Sequence, residues 1–249
     1  MEGDFTRTYR RAFVMLSGGV DSATALWLAK RDYGVGHVTA VSFDYGQRHQ
    51  RELTSAANLA HVGDTGHEVL DLGALLRSPN VMLTDVSVRI PEMSYSDIQG
   101  ISPTYVPYRN GTMLSVLAAH AMKYVKSVQE EQRISPDSPM LKDLVGIYFG
   151  AHAEDAFNWA YPDCTPEFIG AQANAIYIGS YRTVRLVTPF VHSMKWEIVV
   201  KGVALGVPYN LTWSCYAGGS KHCGVCPTCR ARKDAFQRAI VIDPTDYAA

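Results

Sequence analysis

Short apolar runs alternate with stretches of helical spacing along most of this chain. Ala12-Phe13-Val14-Met15-Leu16 breaks at Ser17-Gly18-Gly19, after which Ala23, Ala25, Leu26 and Leu28 recur with helical spacing as far as Tyr33-Gly34. His37 to Phe43 is β-branched and mostly apolar, as a parallel strand covered on both faces should be. A helix is expected from about 47 to 60, a short strand over 68–72, and a helix of small and apolar residues over 113–125. Strands follow at 144–149 and 185–187, and a helix carries Lys195 and Glu197 to about Leu205. Thr165-Pro166-Glu167 reads as a further helix start, with Thr as N-cap and Pro in the first position. Five alternations of strand and helix predict an α/β fold, a doubly wound, mostly parallel sheet of about five strands flanked by helices.

Two stretches interrupt the pattern. Between Gly73 and Pro107 the periodicity breaks up around prolines at 79, 91, 103 and 107, and a loop of that length in a compact domain is usually functional or disordered. We expect a mobile lid there. Residues from Ser127 to Lys142 are polar, contain Pro136 and Pro139, and read as a surface insertion. Residues 1–11 hold several charges, so a frayed arm is expected, with Arg7, Arg10 and Arg11 solvated. The α/β unit then covers 12–210, and a small segment, 211–249, packs on it.

Composition narrows the class. The chain has 249 residues, 47% of them hydrophobic and 19% charged, which is enough for a substantial core. A formal net charge of -1 argues against a bulk electrostatic grip on nucleic acid, so no direct nucleic-acid partner is expected. No apolar run is long enough to span a membrane, and no membrane partner is expected. With clustered cysteines, the expected home is a reducing cytoplasm.

The chemistry gathers at the ends of the strands. In Leu16-Ser17-Gly18-Gly19-Val20-Asp21-Ser22-Ala23-Thr24, adjacent glycines let backbone N–H groups approach a ligand without a Cβ in the way. The helix beginning near Val20 offers unpaired donors and a positive dipole end, and Ser17 and Ser22 add hydroxyls. Together they make a cradle for a polyphosphate. No Lys follows the glycines, so this is not the common nucleotide-binding loop. Asp44-Tyr45-Gly46-Gln47-Arg48-His49 forms a polar cluster at the carboxyl end of the second strand, where open α/β sheets bind ligands. Taken alone it reads equally well as a solvated helix start. The same two readings stay open for Arg109 and Asn110, where a guanidinium and an amide either face an anion or cap a helix.

Four of the five cysteines, Cys215, Cys223, Cys226 and Cys229, stand in the pattern C-x7-C-x2-C-x2-C, with glycines at 218, 219 and 224 for tight turns. Four soft donors at such spacing suit a tetrahedral Zn2+ that braces the fold and leaves no open position for chemistry. Two disulfides, or a redox pair that leaves two cysteines unexplained, account for the pattern less well. Cys164 is left over; it reads as a small buried hydrophobe, although Asp163 and Glu167 beside it keep a site role open.

Ser17 to Ser22 resembles the PP-loop of ATP pyrophosphatases, which split ATP into AMP and pyrophosphate. Beyond it, Phe43 to His49, Val106 to Asn110, Tyr161-Pro162-Asp163-Cys164, Trp213 to Tyr216 and Cys223 to Cys229 resemble, in order, the 7-cyano-7-deazaguanine synthase (QueC) family. The resemblance implies an adenine nucleotide alpha-hydrolase-like fold and a ligase that takes ATP with Mg2+, ammonia and 7-carboxy-7-deazaguanine to the 7-cyano compound. It implies ATP binding at Leu16 to Thr24, with Asp44, Arg48, Arg109 and Lys195. It places Tyr45, His49, Asn110, Asp163 and Glu167 near the substrate, with Asp163 a candidate for the guanine-like N–H face because a carboxylate accepts two such donors. Two departures stand out: Met194 precedes Lys195 where relatives commonly have Asp, and the stretch from Ser127 to Lys142 is longer than usual.

Three rivals remain. A tRNA thiolase needs a catalytic cysteine pair outside the tetrad, and only Cys164 is left. A zinc-knuckle nucleic-acid module, with Trp213 and Tyr216 stacking on bases, leaves the cradle idle. A relative that stops at the amide or uses another acceptor keeps every motif. A homodimer is also considered, through the apolar helix that begins at Met113.

Overall fold

The computed structural model describes Phe5 and residues 8–248. Five strands, β1 (Arg11–Met15), β2 (Val38–Asp44), β3 (Gly66–Asp71), β4 (Val145–Tyr148) and β5 (Val184–Val187), form one sheet in the order β3-β2-β1-β4-β5. Every pairing is parallel. The chain leaves β1 on one side to build β2 and β3, then returns to lay β4 on the other side. The order therefore reverses between β1 and β4, and the crevice at such a switch point is where sheets of this kind bind ligands.

Alternation along β1 divides the core in two. Ala12 and Val14 point to one face, where they pack with Leu26 of α1 (Val20–Tyr33), Ile198 of α5 (Lys195–Ala204) and Phe236 of α6 (Pro227–Arg238). Phe13 points to the other face, where it meets Leu114, Leu117, Ala121 and Val125 of α3 (Arg109–Gln132). Two further helices, α2 (Arg51–Val62) and α4 (Pro166–Gly179), complete the layers. At the start of α4, Thr165 Oγ1 accepts a hydrogen bond from Phe168 N at 3.2 Å, as expected of that N-cap.

Three expectations change. Helix α2 begins at Arg51, not near 47, because the Gln47 side chain closes a turn: its Oε1 accepts from Tyr45 N and its Nε2 donates to Phe43 O. Helix α3 runs on to Gln132, so the first part of the expected insertion is helix; its Lys, Gln and Glu residues are good helix formers. The apolar stripe of α3 packs into this chain's own core, with Leu114, Leu117, Ala121 and Val125 fully buried. The expected frayed arm is tied down where it is described: Tyr124 Oη donates to Tyr9 O, Arg10 lies over Tyr33, and Arg11 opens β1. Arg7 lies outside the described residues.

The stretch from Gly73 to Pro107 contains one helical turn (Gly73–Leu76) and a 3-10 turn (Tyr95–Asp97). Leu83, Ile90, Ile98 and Val106 anchor it in the core, and the hydroxyls of Ser102 and Thr104 lie 3.1 and 2.5 Å from Tyr161 Oη. It is built as an anchored wall.

Candidate active site

The cradle forms because the chain turns left-handed at a glycine three residues beyond the end of β1. Gly18 has φ +85°, and a Cβ there would sit 2.3 Å from the backbone oxygen of Glu52. Gly19 then serves as N-cap of α1 with no side-chain cap, so the first N–H groups of the helix face outward. Ser22 Oγ accepts from Ser17 N at 3.2 Å and donates to Gly19 O at 3.2 Å, while the two serine hydroxyls meet at 3.0 Å. The turn is rigid before any ligand arrives.

Helix α5 supplies the missing cation. Lys195 Nζ lies 2.5 Å from Asp21 Oδ2 and 3.2 Å from His152 Nε2. Burial works against the Asp21 charge, but Lys195 and His152 outweigh it and hold its carboxyl below the usual range. Burial likewise opposes the Lys195 charge, and Asp21 leads the carboxylates that raise its pKa. The second oxygen of Asp21, Oδ1, is buried with no partner.

Across the cleft, Arg109 stands at the first turn of α3, with Nη1 3.2 Å from Tyr45 Oη. Next to it, Asn110 N donates to Asp163 Oδ2 at 3.0 Å, and Asn110 Nδ2 donates to Cys164 Sγ at 3.2 Å. Asp163 Oδ1 has no partner, and burial lifts this carboxyl above its ordinary value against the pull of the Asn110 N–H. Burial also pushes the Cys164 thiol well up, which keeps it protonated.

Among the described residues, one cleft brings together Leu16, Ser17, Gly19, Val20, Asp21 and Ser22 with Tyr45, His49, Arg109, Asn110 and Lys195. Gly18, Ala23 and Thr24 support the cradle from behind; Thr24 Oγ1 bonds Val20 O and meets Tyr209 Oη, both at 2.8 Å. Four other expected site residues stand off the cleft wall. Asp44 closes its own turn by accepting from Gly46 N, Arg48 donates to Met82 O and Val88 O, and Glu167 is exposed on α4. Asp163 sits just behind Asn110 and Cys164. Sequence reasoning gave no site role to Glu52, Tyr95, Asp155 or Tyr161, which line the same cleft. The only signal for them was their place beside polar strand ends or in the irregular wall.

The C-terminal segment closes the cleft. Trp213 N donates to Gly18 O at 2.8 Å, Tyr216 packs at a tilt against His49 with ring centroids 5.2 Å apart, and Trp213, Ser214, Tyr216 and Thr228 reach the lining. Behind them the sulfurs of Cys215, Cys223, Cys226 and Cys229 all lie within 4.8 Å of one another. Tetrahedral zinc with Zn–S of about 2.3 Å implies sulfurs about 3.8 Å apart, and Cys223 and Cys229 stand 3.9 Å apart. Backbone N–H groups of Cys223 and Cys226 each point at a cysteine sulfur at 3.3 Å, as bound thiolates require. The donor set fits a closed tetrathiolate metal site. Burial pushes His222 down to about 4, so it stays a neutral acceptor for Ser214 N at 3.0 Å.

Known proteins agree with this geometry. The family described as "Queuosine biosynthesis protein QueC" matches residues 11–130 and 141–240. The unmatched residues, 131–140, fall at the end of α3 and in the loop after it. The 7-cyano-7-deazaguanine synthase of Caldicellulosiruptor bescii is 38% identical over 238 residues, covering 95% of this chain and 97% of that one. That of Nostoc sp. is 37% identical over 246 residues, covering 96% and 97%. The solved NMN synthetase of Francisella tularensis, at 14% identity and TM-score 0.41 over 97% of this chain and 87% of its own, is too distant to carry an argument. With cradle, cysteine tetrad and near full-length identity in agreement, the chain belongs to the QueC family of 7-cyano-7-deazaguanine synthases.

Proposed function

We propose that this chain converts 7-carboxy-7-deazaguanine and ammonia, at the expense of ATP, into 7-cyano-7-deazaguanine. A carboxylate oxygen is a poor leaving group, so it first attacks the α-phosphorus of ATP, giving an acyl adenylate and pyrophosphate. Ammonia displaces AMP to leave an amide. The amide oxygen is adenylated in turn, and elimination of AMP leaves the nitrile.

Both activations build negative charge on departing pyrophosphate, and groups already fixed in place stabilise it most effectively. The observation that carries the reading is the convergence of the α1 N-terminus, Ser17 and the Lys195 ammonium on one spot of the cleft. Arg109 completes the clamp from the opposite wall. Asp21 Oδ1, buried and unpartnered, is the carboxylate oxygen that would face Mg2+ bound to the polyphosphate, which would shield its charge. For the deazaguanine, the supporting feature is the orphaned Asp163 Oδ1 beside Asn110, an acceptor that ring N–H groups would satisfy. Tyr45 and His49 shape the same end. The four-cysteine cluster holds Zn2+ in a structural role, keeping Trp213 and Tyr216 against the cradle. Asp44, Arg48 and Glu167 stand outside this account.

Mass spectrometry of a reaction with ATP, Mg2+, ammonium and 7-carboxy-7-deazaguanine tests it. The expected products are the nitrile, AMP and pyrophosphate. Amide that accumulates without nitrile would point instead to a relative that halts halfway.

A further inference from the structure

Cleft carboxylates differ in what already holds them. Asp21 Oδ2 is taken by Lys195 at 2.5 Å, and Glu52 is held on both oxygens, by His49 Nε2 at 2.9 Å and Gln47 Nε2 at 3.1 Å. Asp155, the third in the lining, makes only long contacts: Oδ2 lies 3.4 Å from His152 N and Oδ1 3.4 Å from His152 Nε2. That same imidazole nitrogen lies 3.2 Å from Lys195 Nζ. The one Nε2 faces both the Lys195 ammonium and Asp155, and at 3.4 Å it holds the carboxylate only loosely. Asp155 is thus a carboxylate at the cleft wall without a short hydrogen bond, and with 24% of its side chain exposed it is open to a cation.

Its position is intermediate. Its side chain lies against His152, whose Nε2 meets Lys195 at the phosphate end of the cleft, and its backbone oxygen accepts from Tyr161 N at 3.2 Å toward the other end. Tyr95 and Tyr161 both line the cleft, edge to face at 6.0 Å, and aromatic rings beside a carboxylate suit a small cation. The site for the attacking nitrogen has to lie between the phosphates and the base, where the carboxyl group of the substrate must sit.

We propose that Asp155 is a catalytic residue that binds ammonium and, as general base, converts it to the ammonia that attacks the adenylate. The inference rests on the reaction proposed above. At neutral pH dissolved ammonia is mostly ammonium, which has no lone pair and cannot attack a carbonyl. One N–H bond of ammonium breaks and its proton goes to an Asp155 oxygen. The freed lone pair forms the C–N bond at the adenylate carbonyl carbon, the C–O bond to the phosphate breaks, and AMP leaves with that electron pair. The surplus proton on the new nitrogen passes to water.

The test uses the full-length protein and three readouts: substrate-dependent exchange of labelled pyrophosphate into ATP, amide formation against ammonium concentration, and hydroxamate formation with hydroxylamine. Hydroxylamine is already an unprotonated nucleophile at neutral pH and needs no base to free its lone pair. Asp155→Asn should keep exchange and hydroxylamine turnover within about threefold, yet lose roughly 100-fold or more in kcat/KM for ammonium. Asp155→Glu should recover part of that loss. Equal losses with both nucleophiles, or loss of exchange in both Asp155→Asn and Asp155→Ser, would make Asp155 a structural residue and overturn the proposal. Unchanged ammonium kinetics in Asp155→Asn would overturn it as well. If the unaltered protein showed no substrate-dependent exchange, the adenylation reading would fail first and take the proposal with it.

Discussion

Lys195 Nζ lies 2.5 Å from Asp21 Oδ2, although the two residues are 174 positions apart in the chain. The pair joins the first turn of α1 to the first turn of α5 across the mouth of the cradle. It is mostly buried, with 12% and 20% of the two side chains exposed, so removing one partner strands the other charge. We expect Lys195→Met to lower stability by about 3 kcal/mol and AMP release by roughly 100-fold or more. The double variant Asp21→Asn/Lys195→Met should regain most of the stability and none of the activity. Thermal melts beside an AMP assay check both halves; a double variant no more stable than Lys195→Met would refute the argument from stranded charge.

The same pair sets a pH dependence whose sign follows from its shifts. Asp21 is held below the usual carboxylate range, so its contribution is present above the unfolded value, about 3.9, and is lost as pH falls through the folded one. Lys195 is raised, so its contribution is full below about 10.4 and is lost as pH rises through the folded value. The stability difference between the native protein and the double variant should be flat from about pH 5 to 9 and move only outside that window. Urea melts at a series of pH values measure this difference directly, and a step near neutrality would assign the shift to another group.

How much of this was legible in the sequence varies by element. The β1 to α1 turn was, because a left-handed glycine, a second glycine and two hydroxyls have few other uses after an apolar strand. The cysteine tetrad was, because metal spacing is nearly local. The junction of Lys195 with Asp21 and His152 was not, since nothing local in the chain announces contacts made across a switch point. Arg48 shows why a charged residue at a strand end is ambiguous: here its guanidinium serves the carbonyls of Met82 and Val88 in a wall without regular hydrogen bonding. The far end of α3 was hidden by polarity: the Lys, Gln and Glu that continue a helix also look like a surface loop.

The two cradle glycines should respond differently to the same methyl group. At Gly18 a Cβ meets backbone at 2.3 Å and φ is +85°, so Gly18→Ala should cost about 3 kcal/mol or more and abolish activity through the fold. At Gly19 φ is −81° and the nearest atoms, Ser17 Oγ and Trp213 O, are 3.6 and 3.7 Å away. Gly19→Ala should therefore melt within about 2 °C of the native protein while raising KM for ATP, because its methyl enters the lining where phosphate oxygens must approach. Equal melting shifts for the two variants would contradict this account of the turn.

Removing the metal should act on the cleft through Trp213 and Tyr216. Cys229→Ser breaks the tetrad of the proposed zinc site, and we expect metal content to fall from about one zinc per chain to near zero by elemental analysis. The sheet and both halves of the core remain, so the loss should be near 3 kcal/mol, about 6–12 °C in Tm, not complete unfolding.

Asp163 offers the sharpest separation of function from stability. Burial lifts its carboxyl above the ordinary value, which means the folded protein bears a cost for its charge at neutral pH. A group raised in this way contributes stability below the unfolded pKa, about 3.9, and loses it as pH rises through the folded one. Asp163→Asn keeps an oxygen to accept from Asn110 N and removes the charge, so it should melt higher than the native protein at pH 7. That advantage should shrink as pH falls toward 4 and Asp163 takes up its own proton. The same variant presents an amide N–H where the deazaguanine offers donors, so KM for 7-carboxy-7-deazaguanine should rise by one to two orders of magnitude, about 1–3 kcal/mol, with KM for ATP unchanged. Melting curves at two pH values and steady-state kinetics with each substrate varied would decide it: a destabilised variant with equal losses in both KM values would place Asp163 in the scaffold and leave the base without its acceptor.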